Sequence, residues 1–262
     1  MFKFCTLYSG SSGNATYIGT EKEGILVDIG KNAKQTTLAL SELGIEPSAV
    51  KALFVTHEHS DHISGLRVFC NRHHVPVYSA LGTLQALEDK GCLRGDFPVF
   101  QMQDYADIGD FHIQCFHTSH DAAEPMGYTV ALPNGKRVTV STDLGVVTEE
   151  VRSAILGSNT ILLESNHDMN MLYNGPYPYP LKRRIASRIG HLNNDDAATM
   201  SAELFENGTR AIILGHLSDK NNIPELAFQT TASSLQQCGA EVQGDIRLSV
   251  APRNSVSAVE VL

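Results

Sequence analysis

The chain of 262 residues contains no apolar run approaching the roughly 20 residues needed to cross a bilayer, which excludes a helical membrane span. Its opening stretch, Met1 to Leu7, turns polar and glycine-rich by Ser9 and lacks the apolar core of a signal peptide. No Pro/Ser-rich linker, low-complexity tract or internal repeat interrupts it. That argues against a solenoid and makes one domain over residues 1–262 the expectation. The five cysteines, Cys5, Cys70, Cys92, Cys115 and Cys238, are odd in number and form no CxxC pair. They fit reduced thiols in a cytoplasmic protein rather than a disulfide framework or a thiolate metal site. Positive charge is scarce as well: 20 Lys and Arg face 29 Asp and Glu, for a net charge of −9. This balance opposes broad, nonspecific attraction to nucleic acid while leaving room for a local basic patch.

What the chain does have is 42% hydrophobic residues, enough for a substantial core, and one dense cluster of potential metal ligands. The apolar run Ala52-Leu53-Phe54-Val55-Thr56 leads straight into His57-Glu58-His59-Ser60-Asp61-His62. In an extended segment residues two apart face the same way, so His57 and His59 can share one ion. Asp61 and His62, where the chain turns into a helical stretch at Ile63–Phe69, would face a second. The competing account is a surface strand-to-helix turn with Asp61 as a helix N-cap.

Apolar patterning predicts strands at Phe2–Tyr8, Ala15–Gly19 and Ile25–Asp28, then a helix near Ala33–Leu43. After the histidine cluster come helix, strand (Pro76–Ser79) and helix (Leu81–Lys90). Further strands are expected at Phe111–Phe116, Gly127–Leu132, Arg137–Ser141, Thr160–Leu163, Arg210–Leu214, Leu248–Val250 and Val256–Val261. Helices are expected at Asp195–Glu206 and Glu225–Gln237. Two sets of strands with helices between and outside them suggest an α/β fold of four αββα layers.

If a dinuclear site exists, its other ligands should also follow apolar strands. His120, in Thr118-Ser119-His120-Asp121, does so, with His117 as its rival. Asp143 follows Val140-Ser141-Thr142, where a carboxylate could bridge two cations, or simply form a turn before Gly145. His216 ends Ile212-Ile213-Leu214-Gly215, as a ligand to the second ion or as a core histidine. A set of imidazoles and carboxylates suits two divalent ions, zinc or manganese. His73, His74, His112 and His167 read as structural or solvated.

The HxHxDH form of residues 57–62 resembles the hallmark of the metallo-β-lactamase-fold hydrolases, which implies the αββα architecture. That resemblance makes His120 the third histidine of the nuclease-like members, since it precedes Gly127-Tyr128. It also makes Asp28 a residue that supports the ligands without being one. Glu164 after Ile161-Leu162-Leu163, His191 in Gly190-His191-Leu192-Asn193, and His216-Leu217-Ser218 resemble the tRNA-maturing endonucleases of this fold. There the Glu and Gly-His residues are associated with proton donation to the leaving alkoxide. A phosphodiester needs that help more than a β-lactam or thioester does. The alternative is that Glu164 only forms a salt bridge and His191 caps the helix near Asp195.

The segment Asn174-Gly175-Pro176-Tyr177-Pro178-Tyr179-Pro180-Leu181-Lys182-Arg183-Arg184 offers two tyrosines for base stacking and three cations, Lys182, Arg183 and Arg184, for phosphates. It reads equally well as a loop entering a helix with a solvated basic face. Together with Ser9-Gly10-Ser11-Ser12-Gly13-Asn14, HxHxDH, Ser-His-Asp-Ala, Glu-x-Asn-His-Asp and His-Leu-Ser, it resembles the YycJ/WalJ (VicX) group over nearly the whole chain. The turn at Ser9–Asn14 reads as a hairpin connection, with backbone contact to a phosphate as the alternative. His-Leu-Asn at 191–193 departs from the expected His-Leu-Ser, and asparagine caps a helix about as well as serine.

The resemblance implies a bacterial cytoplasmic metal-dependent exonuclease acting 5′-to-3′ on double-stranded DNA, linked to a two-component system for cell-wall metabolism. In this reading His57, His59 and His120 hold the first ion, and Asp61, His62 and His216 the second. Asp143 bridges, and a metal-bridging hydroxide attacks phosphorus. Asp61 also steers the nucleophile's proton, while Glu164 and His191 protonate the leaving oxygen. The competing functions are hydrolysis of a small thioester or lactone-type substrate and a non-enzymatic regulator.

Overall fold

The computed structural model describes residues 1–262. The chain begins with β1 (Lys3–Tyr8), β2 (Ala15–Gly19), β3 (Gly24–Val27), α1 (Ala33–Glu42) and β4 (Val50–Phe54). Next come α2 (Ser60–Ile63), α3 (Leu66–His73), β5 (Val77–Ser79), α4 (Leu81–Asp89), β6 (Val99–Gln101), β7 (Tyr105–Ile108) and β8 (Phe111–His117). The remainder is β9 (Met126–Ala131), β10 (Arg137–Ser141), α5 (Glu149–Ile155), β11 (Thr160–Glu164), α6 (Met169–Asn174), α7 (Tyr179–Ile185), α8 (Asn194–Glu206), β12 (Ala211–Gly215), α9 (Pro224–Gln237), β13 (Arg247–Val250) and β14 (Glu260–Val261). The strands form two mixed seven-stranded sheets, ordered β14-β1-β2-β3-β4-β5-β6 and β13-β12-β11-β10-β9-β8-β7.

Contacts divide the chain into two compact units. One comprises Met1–Cys115, Ala122–Tyr128 and Pro252–Leu262; the other comprises Phe116–Asp121 and Thr129–Ala251. In the first, β1, β2 and β3 pair antiparallel and β3, β4 and β5 parallel. Leu26, Leu53, Val55 and Val77 share a core with Leu40, Leu66, Phe69 and Leu87 of α1, α3 and α4. In the second, β10 to β13 pair parallel, and Ile161, Leu163, Ile212, Leu214 and Leu248 share a core with Val151, Met200, Leu204 and Leu235. Each such side chain contributes about 1.5–3 kcal/mol by leaving water.

Several expectations shift. The helix expected over Ile63–Phe69 is two helices, α2 and α3, parted at Ser64-Gly65. Gly65 donates to Ile29 O, and a Cβ there would stand 2.4 Å from Lys31 O, so the chain breaks where a backbone crosses it closely. The strand expected over Val256–Val261 shortens to β14. Strands β6 and β7 and helices α5 and α6 are not expected from the sequence, whereas α7 is the helix that one reading of the basic segment leads into. β6 is exposed along its length and β7 half so, which leaves no apolar alternation to read.

Candidate metal centre

In the first unit β4 delivers His57 and His59, and α2 carries Asp61 and His62. His57 and His62 are buried, while His59 and Asp61 are half-buried. The His57 ring lies 4.5 Å from that of His59 and 4.1 Å from that of His62, centroid to centroid. Asp61 is in the first turn of α2, but the N-cap is His59, without a side-chain cap bond, so the capping account of Asp61 does not hold.

Asp28 organises this segment. Its Oδ1 accepts from Thr56 N at 2.8 Å, and its Oδ2 accepts from Thr56 Oγ1 at 2.8 Å and from His62 Nδ1 at 2.7 Å. A carboxylate accepts only, so the His62 proton sits on Nδ1 and the lone pair on Nε2. With its hydroxyl proton given to Asp28, Thr56 accepts from His57 Nδ1 at 3.0 Å, and His57 adopts the same tautomer. Burial pushes the Asp28 carboxyl up, and His62 and Thr56 oppose that rise.

Sequence reading missed Asn14. The Ser9–Asn14 turn braces the histidine segment: Asn14 N donates to Asp61 O at 2.8 Å, and Asn14 Nδ2 donates to His62 Nε2 at 3.0 Å. Its Oδ1 closes the turn on Gly10 N. The only available signal was the glycine-serine turn itself.

In the second unit three residues converge from strand ends and a fourth, His191, from the loop before α8. Asp143, Glu164, His191 and His216 each present a donor atom within 4.8 Å of the others. Glu164, at the end of β11, is fully buried. Its Oε1 accepts from His191 Nδ1 at 2.9 Å and His216 Nδ1 at 2.7 Å, while Oε2 accepts from the amides of Leu144 and Leu192. Burial pushes the carboxyl up, but His191 and then His216 outweigh it and hold the group well below the usual carboxylate range. Glu164 is therefore an anion that orients two imidazoles, each donating to it from Nδ1 and turning Nε2 away.

His120 reaches the same tautomer through Nδ1, which donates to Gly190 O at 2.9 Å. Its Nε2 lies 3.6 Å from Asp143 Oδ1. The same Asp143 oxygen stands 3.6 Å from His191 Nδ1 and 3.5 Å from His216 Nδ1. The rival His117 is exposed and bonds Glu150. His191 does not cap α8, because Asn193 does, accepting from Asp196 N at 2.9 Å. A Cβ on Gly190 would stand 2.2 Å from Ile185 O, so only glycine lets α7 close against this loop.

Asp28, Asp143 and His216 adopt left-handed backbone, with φ of 61°, 59° and 55°. Each follows closely on a strand, and the unusual turn redirects its side chain at the strand end.

The basic residues take unequal positions on α7. Arg184 forms a bidentate pair with Asp121, its Nη2 2.9 Å from Oδ1, and Asp121 stands beside His120. Lys182 donates to Tyr173 O, and the Arg183 guanidinium lies 6.0 Å from the Tyr179 ring centre. His167, read as structural or solvated, is fully buried with no hydrogen-bond partner for either ring nitrogen. Burial pushes it down to about 4, against the pull of Glu164.

The family model of a beta-lactamase superfamily domain matches residues 24–216. The chain belongs to that superfamily. Its members at higher identity place it in the YycJ/WalJ group: exodeoxyribonuclease YycJ of Bacillus anthracis is 39% identical over 241 residues, 90% of either chain. Exodeoxyribonuclease WalJ of Streptococcus pneumoniae is 37% identical over 251 residues, 94% of this chain and 93% of its own. The metallo-β-lactamase-fold protein YhfI of Bacillus subtilis superposes with a TM-score of 0.73 at 14% identity, over 98% of both chains. Two mixed sheets with flanking helices are the elements of the αββα metallo-β-lactamase fold expected from the sequence, and this superfamily member is a metal-dependent hydrolase. No helix is long and apolar enough to cross a membrane.

Proposed function

We propose that the chain is an exonuclease that hydrolyses phosphodiesters of double-stranded DNA from the 5′ end. The observation that carries this reading is Glu164: a buried carboxylate that spends its oxygens on holding two histidines and two amides, leaving His191 as the proton donor. Relatives named exodeoxyribonucleases, aligned along nine-tenths of the chain, supply the substrate class.

The donor set fits divalent cations, because imidazoles with Nε2 lone pairs and carboxylates are what zinc or manganese takes. His57, His59, Asp61, His62, His120, Asp143 and His216 are the proposed ligands of two such ions. When bound, the cations supply Lewis acidity toward phosphate oxygens and bring the pKa of water toward 7. Asp28 and Thr56 fix the imidazoles of the first segment, as Glu164 and Gly190 O fix those of the second. Asn14, which donates to His62 Nε2, would yield that lone pair to a bound cation. Asp61 accepts the proton of the attacking water. His191, oriented through Nδ1 by Glu164, delivers a proton from Nε2 to the departing oxygen. Because Glu164 stays ionised, it stabilises the protonated imidazole rather than acting as the acid itself. Of the three cations on α7, Arg184 steadies Asp121, and Lys182 and Arg183 serve the strand.

The test is metal-loaded protein with end-labelled single- and double-stranded DNA beside an Asp61→Ala/His62→Ala control. Metal-dependent nucleotide release from the 5′ end, lost in the control, is expected. Absence of release by protein with bound metal, together with turnover of a thioester, would transfer the reading to a small-molecule hydrolase.

A further inference from the structure

A cavity of about 580 Å³ opens beside the histidine segment within the first unit, and no part of the proposed chemistry uses it. Two cations line it, Arg67 from α3 and Lys90 at the end of α4, with the hydroxyl residues Ser60 and Ser64 and the apolar Ile63 and Val68. Both cations are exposed, and Arg67 has no ion-pair partner. Lys90 Nζ donates once, to Glu58 O at 2.7 Å, so the ammonium keeps two further donors. The one carboxylate on the wall, Glu58, is nine-tenths buried and accepts from Ala123 N at 3.1 Å. In a chain with a net charge of −9, a hollow with two available cations and one committed anion is a local reversal of sign. Its volume suits a nucleotide.

We propose that this cavity binds a phosphate of the nucleic-acid strand, held by Arg67 and Lys90, with the adjoining sugar and base against Ile63 and Val68. The proposal rests on the nuclease reading and adds to it the place where the strand is gripped away from the cut. Lys90 is tied to the backbone between His57 and His59, so a gripped phosphate fixes the strand relative to the ligand segment. Arg67 and Lys90 are binding residues and take no part in the chemical step.

Cys92 lines the same cavity and provides a local reporter. The experiment uses metal-loaded protein carrying Cys238→Ser, to remove the exposed thiol, and DNA with hydrolysis-resistant phosphorothioate linkages. Alkylation of Cys92 by iodoacetamide, followed by peptide mass spectrometry, is compared with and without DNA. DNA should slow labelling at least several-fold in this background, and Arg67→Ala/Lys90→Ala should abolish that protection. The double variant should also bind DNA about tenfold more weakly, with a salt dependence shallower by about 0.7–0.9 for each phosphate it no longer neutralises. Arg67→Lys/Lys90→Arg should restore both. Comparing 5′-phosphorylated with 5′-hydroxyl DNA identifies the source: a loss confined to the first assigns the cavity to the terminal phosphate, an equal loss to an internal diester. Unchanged Cys92 labelling alongside normal nucleotide release overturns the cavity and leaves the nuclease reading intact. Protection without any metal-dependent release sinks the nuclease reading and keeps the cavity.

Discussion

Five imidazoles, those of His57, His62, His120, His191 and His216, each give their Nδ1 proton to an oxygen chosen by the fold. Such support sets which nitrogen can meet a cation or carry a proton, and its loss is felt at a distance. His191→Ala should therefore keep its bound metal yet lose roughly a hundred- to ten-thousand-fold in kcat on DNA, with KM little changed, measured by single-turnover release and metal analysis. His167 bears on stability instead. Its folded-state pKa, about 4, lies below the unfolded value of about 6.5, so the unfolded chain binds its proton first as pH falls. Stability from the neutral ring is whole above pH 6.5 and drains away toward pH 4, to a total of about 3 kcal/mol. Urea unfolding of wild type and His167→Gln from pH 7 to 4.5 should show the steeper decline in the wild type, and parallel curves would refute it.

At the level of elements, the turn from Gly190 into α8 depends on one cap. Asn193→Ser should leave the melting temperature nearly unchanged, whereas Asn193→Ala should remove about 1 kcal/mol, read by thermal unfolding. The strands that carry the site were legible because they are short apolar runs, and a polar residue just after such a run stands out. That is why His57, Asp143, Glu164 and His216 could be picked from the sequence. Short helices were hard to read: α6 has six residues, too little for a helical period to register, and α7, with seven, was legible only as one of two readings of the basic segment. Nor could the sequence show that Asn14 braces His62 or that Arg184 holds Asp121, since these pairs lie 48 and 63 positions apart. The left-handed turns at Asp28, Asp143 and His216 were equally hidden, because glycine is the residue that usually announces them.

For the whole molecule, cation binding and folding are linked. At a free metal concentration a hundred times its Kd, zinc or manganese should add about 2.7 kcal/mol, a rise of roughly 5–11 °C in melting temperature. Scanning fluorimetry with metal and with EDTA checks this, and Asp61→Ala/His62→Ala should forfeit part of the rise. The three left-handed residues extend the same linkage across generations. Each side chain there costs about 1 kcal/mol or more of backbone strain that glycine would relieve. The buried bonds that Asp28 makes with Thr56 and His62, and His216 with Glu164, offset that strain. A descendant freed from catalysis therefore gains by drifting to glycine at positions 28, 143 and 216 only where those partners have changed as well. Glycine at those three places would thus mark, in a single unaligned sequence, a copy of this fold that has retired from chemistry.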